Sequence, residues 1–468
     1  MLRQNTEYPN LRRMRAENAE LYEANTGLHC VATIPVASDQ SDSFSQYVES
    51  ILELAELCKP VNGFEWQKKL ALCLDGEPGR ILREQIPRID LRRQGAYFTS
   101  FRLAKRVAAA AVSQTITPKV CDPACGAGDL LLAVARKLPL QPNFQDTLGE
   151  WGRLLSGFDI SGQFVRLTKA RLILLAAKRH KIRPPFDSSL PLDPFPNIKI
   201  GNSLTPLRHM SNIDVTIMNP PFGYATAPAD CDWASGRVNA AALFVDRVIR
   251  DTPKGSRIVA ILPDVLRSGS RYVTWRELTR VSGSVLCEKP LGLFDKWTDV
   301  DVYLFHFEKG LNLDKYCVGY PPDQATYGVG KRFSVHVGPV VPHRHAETGP
   351  YAPYINARSL PSWGELTTIK TKRQFTGPLF EPPFVCVKRT SRPDSGHRAI
   401  ATLVRSNKPV AVENHLVVLL PKDGKIQTCR KLMCRLVSPK TDRWLNARLR
   451  CRHLTTSAIS EMPWWYKP

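Results

Sequence analysis

The chain has 468 residues, enough for two or three units around substantial cores, and its 43% hydrophobic content excludes a disordered chain. Its 65 Lys+Arg against 43 Asp+Glu give a formal charge of +22, which points to a polyanionic partner or an anionic surface. No apolar run approaches the roughly 18 residues that a spanning helix needs, the start Met1-Leu-Arg-Gln lacks a secretory apolar stretch, and a cytoplasmic protein without a membrane role is expected. Twelve cysteines occur without a CxxC pair, so free thiols and no zinc site are expected.

In chain order, residues 1–90 read as a helical N-terminal segment, with helices expected over Phe44–Leu57 and Glu65–Leu74. No acidic pair with a following Glu-x-Lys stands there, which argues against a built-in nuclease. Residues 91–310 alternate short β-branched runs with helical stretches. Strands are expected at Lys119–Cys121, Leu155–Ile160, Ile198–Ile200, Val215–Met218, Arg257–Leu262 and Val302–Phe307. That alternation predicts an α/β unit of Rossmann-like type: a mainly parallel sheet, helices on both faces and ligands at the strands' carboxyl ends.

Val120-Cys-Asp-Pro-Ala-Cys-Gly-Ala-Gly-Asp129 runs from a strand into a turn that opens a helix. Gly126 and Gly128 allow positive φ and close approach of backbone to ligand, and the helix start offers free N–H groups to an anionic end. About thirty residues on, Asp159 ends the next strand, where a carboxylate can grip two ribose hydroxyls, with capping of the following helix as the alternative. Asn202, after Ile198–Ile200, is either a ligand contact or a turn residue.

Ile213-Asp-Val-Thr-Ile-Met-Asn-Pro-Pro-Phe222 is an apolar strand ending in a rigid loop. An exocyclic amine on a purine ring is a poor nucleophile because its lone pair is delocalised. Acceptors on its two N–H bonds, the Asn219 amide oxygen and the Pro220 carbonyl, would return that lone pair to nitrogen, with Pro221 stiffening the loop. Phe222 offers a flat face to a base rotated out of a duplex.

From 370 onward the chain holds 20 Lys+Arg and 6 Asp+Glu, a net +14. Phe384–Lys388 and His415–Leu420 read as strands and 430–450 as one helix, ending in Arg448, Arg450 and Arg452, expected phosphate contacts.

These motifs resemble the gamma class of adenine-N6 DNA methyltransferases of restriction-modification systems, over about residues 90–310. The resemblance implies S-adenosylmethionine as cofactor, contacted by Thr99, Asp122, Ala124, Gly126, Gly128, Asp159, Ile160, Asn202 and Ser203. Arg93-Gln-Gly-Ala-Tyr-Phe-Thr99 is similar to the family's Y-F-T-P motif, with Ser100 in place of proline and helix capping as the other reading of Thr99. Asn219, Pro220, Pro221 and Phe222 match the catalytic motif. Phe294 matches the position of an aromatic on the target base's other face, with core packing as the alternative.

Val259–Asp264 resembles a family strand after the catalytic loop, and 311–468 resembles an α+β target-recognition domain. The implied partners are double-stranded DNA and a cognate restriction endonuclease or specificity subunit. Methylation of ribosomal RNA or of a protein glutamine, and a catalytically silent DNA-binding subunit, are the rival readings.

Overall fold

The computed structural model describes residues 41–56, 63–85, 98–112, 117–182, 193–205, 208–295, 298–311, 328–393 and 396–464. Helices α1 (Ser41–Glu56) and α2 (Gly63–Cys73) lie where the apolar spacing places them. A third helix, α3 (Glu77–Gln85), was not expected from its Pro78-Gly79 dipeptide; the proline falls in the first turn, where its missing N–H costs nothing. Of the segment Arg93–Thr99, residues up to Tyr97 lie outside the described residues.

The chain continues through α4 (Phe101–Ala111), β1 (Val120–Asp122), α5 (Asp129–Ala135), α6 (Phe144–Leu154), β2 (Leu155–Asp159), α7 (Gly162–His180), β3 (Ile198–Ile200) and β4 (Val215–Met218). A hairpin of β5 (Tyr224–Thr226) and β6 (Arg237–Asn239) follows. Next come α8 (Ala240–Asp251), β7 (Arg257–Pro263), α9 (Asp264–Ser268), α10 (Val273–Ser282), β8 (Gly283–Leu293) and β9 (Asp301–Lys309).

Seven of these strands form one sheet in the order β3-β2-β1-β4-β7-β9-β8. β3, β2, β1, β4 and β7 pair in parallel, and β9 runs antiparallel to both neighbours. The parallel strands are short apolar runs because helices cover both faces: β4 is buried along its whole length. The chain moves outward from β1 to β2 and β3, then returns to place β4 on the other side of β1. That reversal opens a crevice at the carboxyl ends of β1 and β4.

Helix α7 is apolar around most of its circumference and therefore needs cover beyond the sheet. α1 supplies part of it through Phe44, whose ring meets Phe164 edge-on at 5.7 Å, and through the Arg166–Glu49 ion pair at 2.9 Å.

Beyond β9, β10 (Phe333–Val337), β11 (Tyr351–Ile355), β12 (Glu365–Leu366), β13 (Lys372–Gln374), β14 (Phe384–Lys388), β15 (Ala401–Val404), β16 (Ala411–Val412) and β17 (Leu416–Pro421) build two further sheets, β10-β17-β14-β15-β12 and β13-β11-β16. The single helix expected over 430–450 is two, α11 (Ile426–Leu436) and α12 (Pro439–Arg448). Ser438 caps the second and Pro439 opens it, because proline cannot continue the first. A last helix, α13 (Thr456–Glu461), follows. Among the described residues no helix is long and apolar enough to cross a membrane.

Candidate active site

The β1 turn is held from three sides. Gly126 and Gly128 both adopt positive φ, +51° and +85°. A methyl on Gly126 would meet nothing within 4 Å, so the backbone there borders open space, whereas one on Gly128 would lie 2.7 Å from the Thr168 methyl. Thr168 Oγ1 donates to the Gly126 carbonyl at 2.8 Å. Arg171, one turn on along α7 and fully buried, donates to the Ala127 carbonyl, to Cys73 O at 2.7 Å and to Asp129 Oδ1 at 3.0 Å. α7 thus clamps the loop from behind and ties it to α2. Neither residue stood out in the sequence, where both look like ordinary members of an apolar helix.

Asp122 is buried, and its Oδ1 accepts from Ala124 N at 3.1 Å. Burial, with Asp159 and Asp129 nearby, pushes its carboxyl up to about 8 against one backbone N–H that favours the anion. Asp159 stands at the end of β2, its Oδ2 accepting from Gly126 N at 3.0 Å and its Oδ1 from Ser161 N at 2.9 Å. Burial raises this carboxyl too, against the hydrogen bonds from Ser161 and Gly126. The cap of α7 is Ser161, not Asp159.

Ile160 and Ile200, at the ends of β2 and β3, are 60% and 66% exposed, two aliphatic faces flanking the same edge. Asn202 Oδ1 accepts from Leu204 N at 3.0 Å, so this side chain closes its own turn. Ser203 is buried, and its hydroxyl has no hydrogen-bond partner among the described residues. Backbone open at Gly126, a carboxylate at the second strand's end, an apolar rim and an unsatisfied buried hydroxyl together fit a nucleoside carrying a polar tail.

On the other side of the crevice β4 delivers Asn219-Pro220-Pro221-Phe222. Asn219 Nδ2 donates to Thr99 Oγ1 at 3.0 Å. Thr99 is buried and does not cap α4, whose cap position is Ser100; its hydroxyl instead joins the segment before α4 to the end of β4. The Phe222 carbonyl accepts from Asn239 Nδ2 at 2.8 Å, and Asn239 N donates to Tyr272 Oη at 3.0 Å. The Phe222 and Phe294 rings meet edge-to-face, centroids 5.4 Å apart at 87°. A base between two parallel faces needs about 7 Å, two ring-stacking distances of about 3.5 Å, so these rings pack on each other rather than framing a slot.

Arg448, Arg450 and Arg452 all have intramolecular carboxylate partners. Arg448 Nε lies 2.8 Å from Glu461 Oε2, Arg450 Nε lies 2.6 Å from Asp301 Oδ1, and Arg452 pairs with Asp299. Arg450 N also donates to Asp264 Oδ2 at 2.8 Å, and buried Arg267 bridges Asp264 to the Ala447 carbonyl. The expectation of phosphate contacts meets a structural reason for these charges: Arg450 and Arg452 fasten the 447–452 segment to the ends of β7 and β9, and Arg448 ties it to α13.

No curated protein matches the chain by sequence. Among solved structures, the type IIL restriction-modification enzyme MmeI in complex with DNA is 11% identical with a TM-score of 0.53, over 89% of this chain and 79% of that one. The type IIG restriction endonuclease BpuSI is 13% identical with a TM-score of 0.40, over 90% and 69%. A type I restriction-modification methyltransferase subunit from Streptococcus thermophilus is 17% identical with a TM-score of 0.33, over 46% and 45%, so this chain spans under half of that subunit. The MmeI likeness concerns the fold. The N-6 DNA Methylase family model matches residues 85–309, which contain the whole seven-stranded sheet, the glycine turn and the Asn219–Phe222 loop. Over that segment, just under half of its length, the chain is similar to the N-6 DNA methylases.

Proposed function

We propose that the chain transfers a methyl group to N6 of an adenine swung out of double-stranded DNA, as the modification component of a restriction-modification or related phage-defence system. A cognate endonuclease or specificity subunit is the expected protein partner. The observation that carries the reading is the convergence at one sheet crevice of the β1 glycine turn and the Asn219–Phe222 loop, the latter joined to Thr99 by a hydrogen bond.

S-adenosylmethionine, when bound, supplies an electrophilic methyl group. Gly126 and Gly128 give it close backbone approach, Asp159 offers the remaining lone pairs of its two oxygens to ribose hydroxyls, and Ile160 and Ile200 offer apolar contact to its base. Asp122, Ala124, Asn202 and Ser203 complete the surround. One Nδ2 hydrogen of Asn219 goes to Thr99 Oγ1, which orients the amide and offers Oδ1 as its acceptor. That oxygen and the Pro220 carbonyl accept the two N–H bonds of the target amine, stabilise the positive charge that develops on N6 and release its proton to water. Phe222 stacks on the base once Phe294 turns off its ring edge.

The test is direct. Purified full-length protein is incubated with methyl-labelled S-adenosylmethionine and mixed-sequence duplex DNA, and the DNA is digested to nucleosides. Label in N6-methyldeoxyadenosine is expected. Label only in RNA or protein added as competitor, or cofactor binding with no transfer at all, would overturn the proposal.

A further inference from the structure

The hairpin β5–β6 leaves the catalytic-type loop after a single residue, Gly223, and is fixed to it. Besides the Asn239 bond to the Phe222 carbonyl, Ala240 N donates to Gly223 O at 2.8 Å. The hairpin and the loop are therefore joined by two hydrogen bonds besides the chain itself. Two arginines stand on the hairpin or against it. Exposed Arg237, paired across the hairpin with Thr226, donates through NH2 to the Tyr224 carbonyl at 3.4 Å. Exposed Arg271, in the turn before α10, donates through NH2 to the Arg237 carbonyl at 2.7 Å.

Among the described residues neither has a carboxylate within 4 Å, in contrast to Arg448, Arg450 and Arg452. The acids on the hairpin's connecting loop do not serve them. Asp230 pairs with Arg247 at 3.6 Å and Asp232 with Arg250 at 3.1 Å, both on α8. Two exposed arginines, Arg237 anchored on the Tyr224 carbonyl and Arg271 on the Arg237 carbonyl, thus stand on or against the hairpin that Asn239 joins to the Phe222 carbonyl. Tyr224, 57% exposed, lies between them and the loop.

We propose that Arg237 and Arg271 form a two-pronged phosphate site that grips the DNA backbone beside the extruded nucleotide. The inference rests on the DNA-modifying reading above and adds to it where the duplex is held. Anchoring to carbonyls orients the guanidinium forks in advance, so little side-chain freedom is lost when phosphate oxygens accept their remaining N–H bonds. Location next to the loop couples backbone grip to base extrusion.

The experiment measures affinity of the full chain for random-sequence duplex DNA across a salt series, beside thermal stability and cofactor binding. Wild type is expected to show a steep linear fall of log affinity with log salt. R237Q/R271Q should lower that slope by about 0.9 for each phosphate the variant no longer neutralises, and R237K/R271K should keep it. As the glutamines could loosen the hairpin, Thr226→Glu provides a second route: it leaves both arginines in place but gives Arg237 a carboxylate across the strand, and should also flatten the slope. Wild type that binds no DNA would overturn the DNA-modifying reading itself. Wild type that binds, with slopes unchanged in R237Q/R271Q and in Thr226→Glu, would overturn the phosphate site alone.

Discussion

Asp122 carries the clearest pH signature at the level of single residues. Burial favours its neutral form, so its folded value of about 8 lies above the unfolded one near 3.8. The stability it contributes is complete in acid below the unfolded value and is lost as pH rises toward about 8. A net cationic ligand beside it reverses the preference and draws off the proton. Cofactor affinity is therefore expected to rise between pH 6 and 8 with proton release, and Asp122→Asn to remove that dependence; calorimetry in buffers of different ionisation enthalpy reads both. Thr99 makes a second prediction. Thr99→Val removes the Thr99 acceptor of an Asn219 amide N–H, a loss of about 1–3 kcal/mol, so kcat should fall roughly 5- to 150-fold while cofactor KM moves little and Thr99→Ser restores the rate. A change confined to KM would return Thr99 to direct cofactor contact alone.

Among the elements, the loop after β1 shows what pattern reading reaches and where it stops. Its glycines, the carboxylate ending β2 and the Asn-Pro-Pro-Phe end of β4 were legible because each is a short local signal at a strand terminus. Thr168 and Arg171 were not, since their partners lie in a loop over forty residues away and only packing brings them together. Helix α3, strand β8 and the hairpin β5–β6 were also missed. β8 contains Pro290, two glycines and two register shifts, which erase the alternation a strand shows. The two loop glycines separate strain from clash. Gly126→Ala should cost about 1–2 kcal/mol for its left-handed backbone, and Gly128→Ala at least about 1 kcal/mol more because its methyl meets Thr168. Equal losses in urea unfolding would contradict the clamp.

Across the whole molecule, three arginines of what looked in the sequence like one basic tail serve as internal ties. Counting residues could not reveal that Arg448, Arg450 and Arg452 would find Glu461, Asp301 and Asp299, because two of those acids lie some 150 residues upstream. Arg450→Ala should lower unfolding stability by about 1.5–3 kcal/mol, the range for a hydrogen bond to a charged group, with little change in the salt slope of DNA binding; a changed slope at unchanged stability would restore the phosphate role.

The division into a helical lead-in, a catalytic unit over 91–310 and a target-recognition unit over 311–468 remains our proposal for how the chain is organised. The measurement that tests the account most directly is Asn219→Ala, assayed for S-adenosylmethionine affinity and for N6-methyladenine formation in the same preparation. Affinity close to wild type with methyl transfer abolished is the predicted result. Transfer at the wild-type rate would contradict the assignment of chemistry to the end of β4.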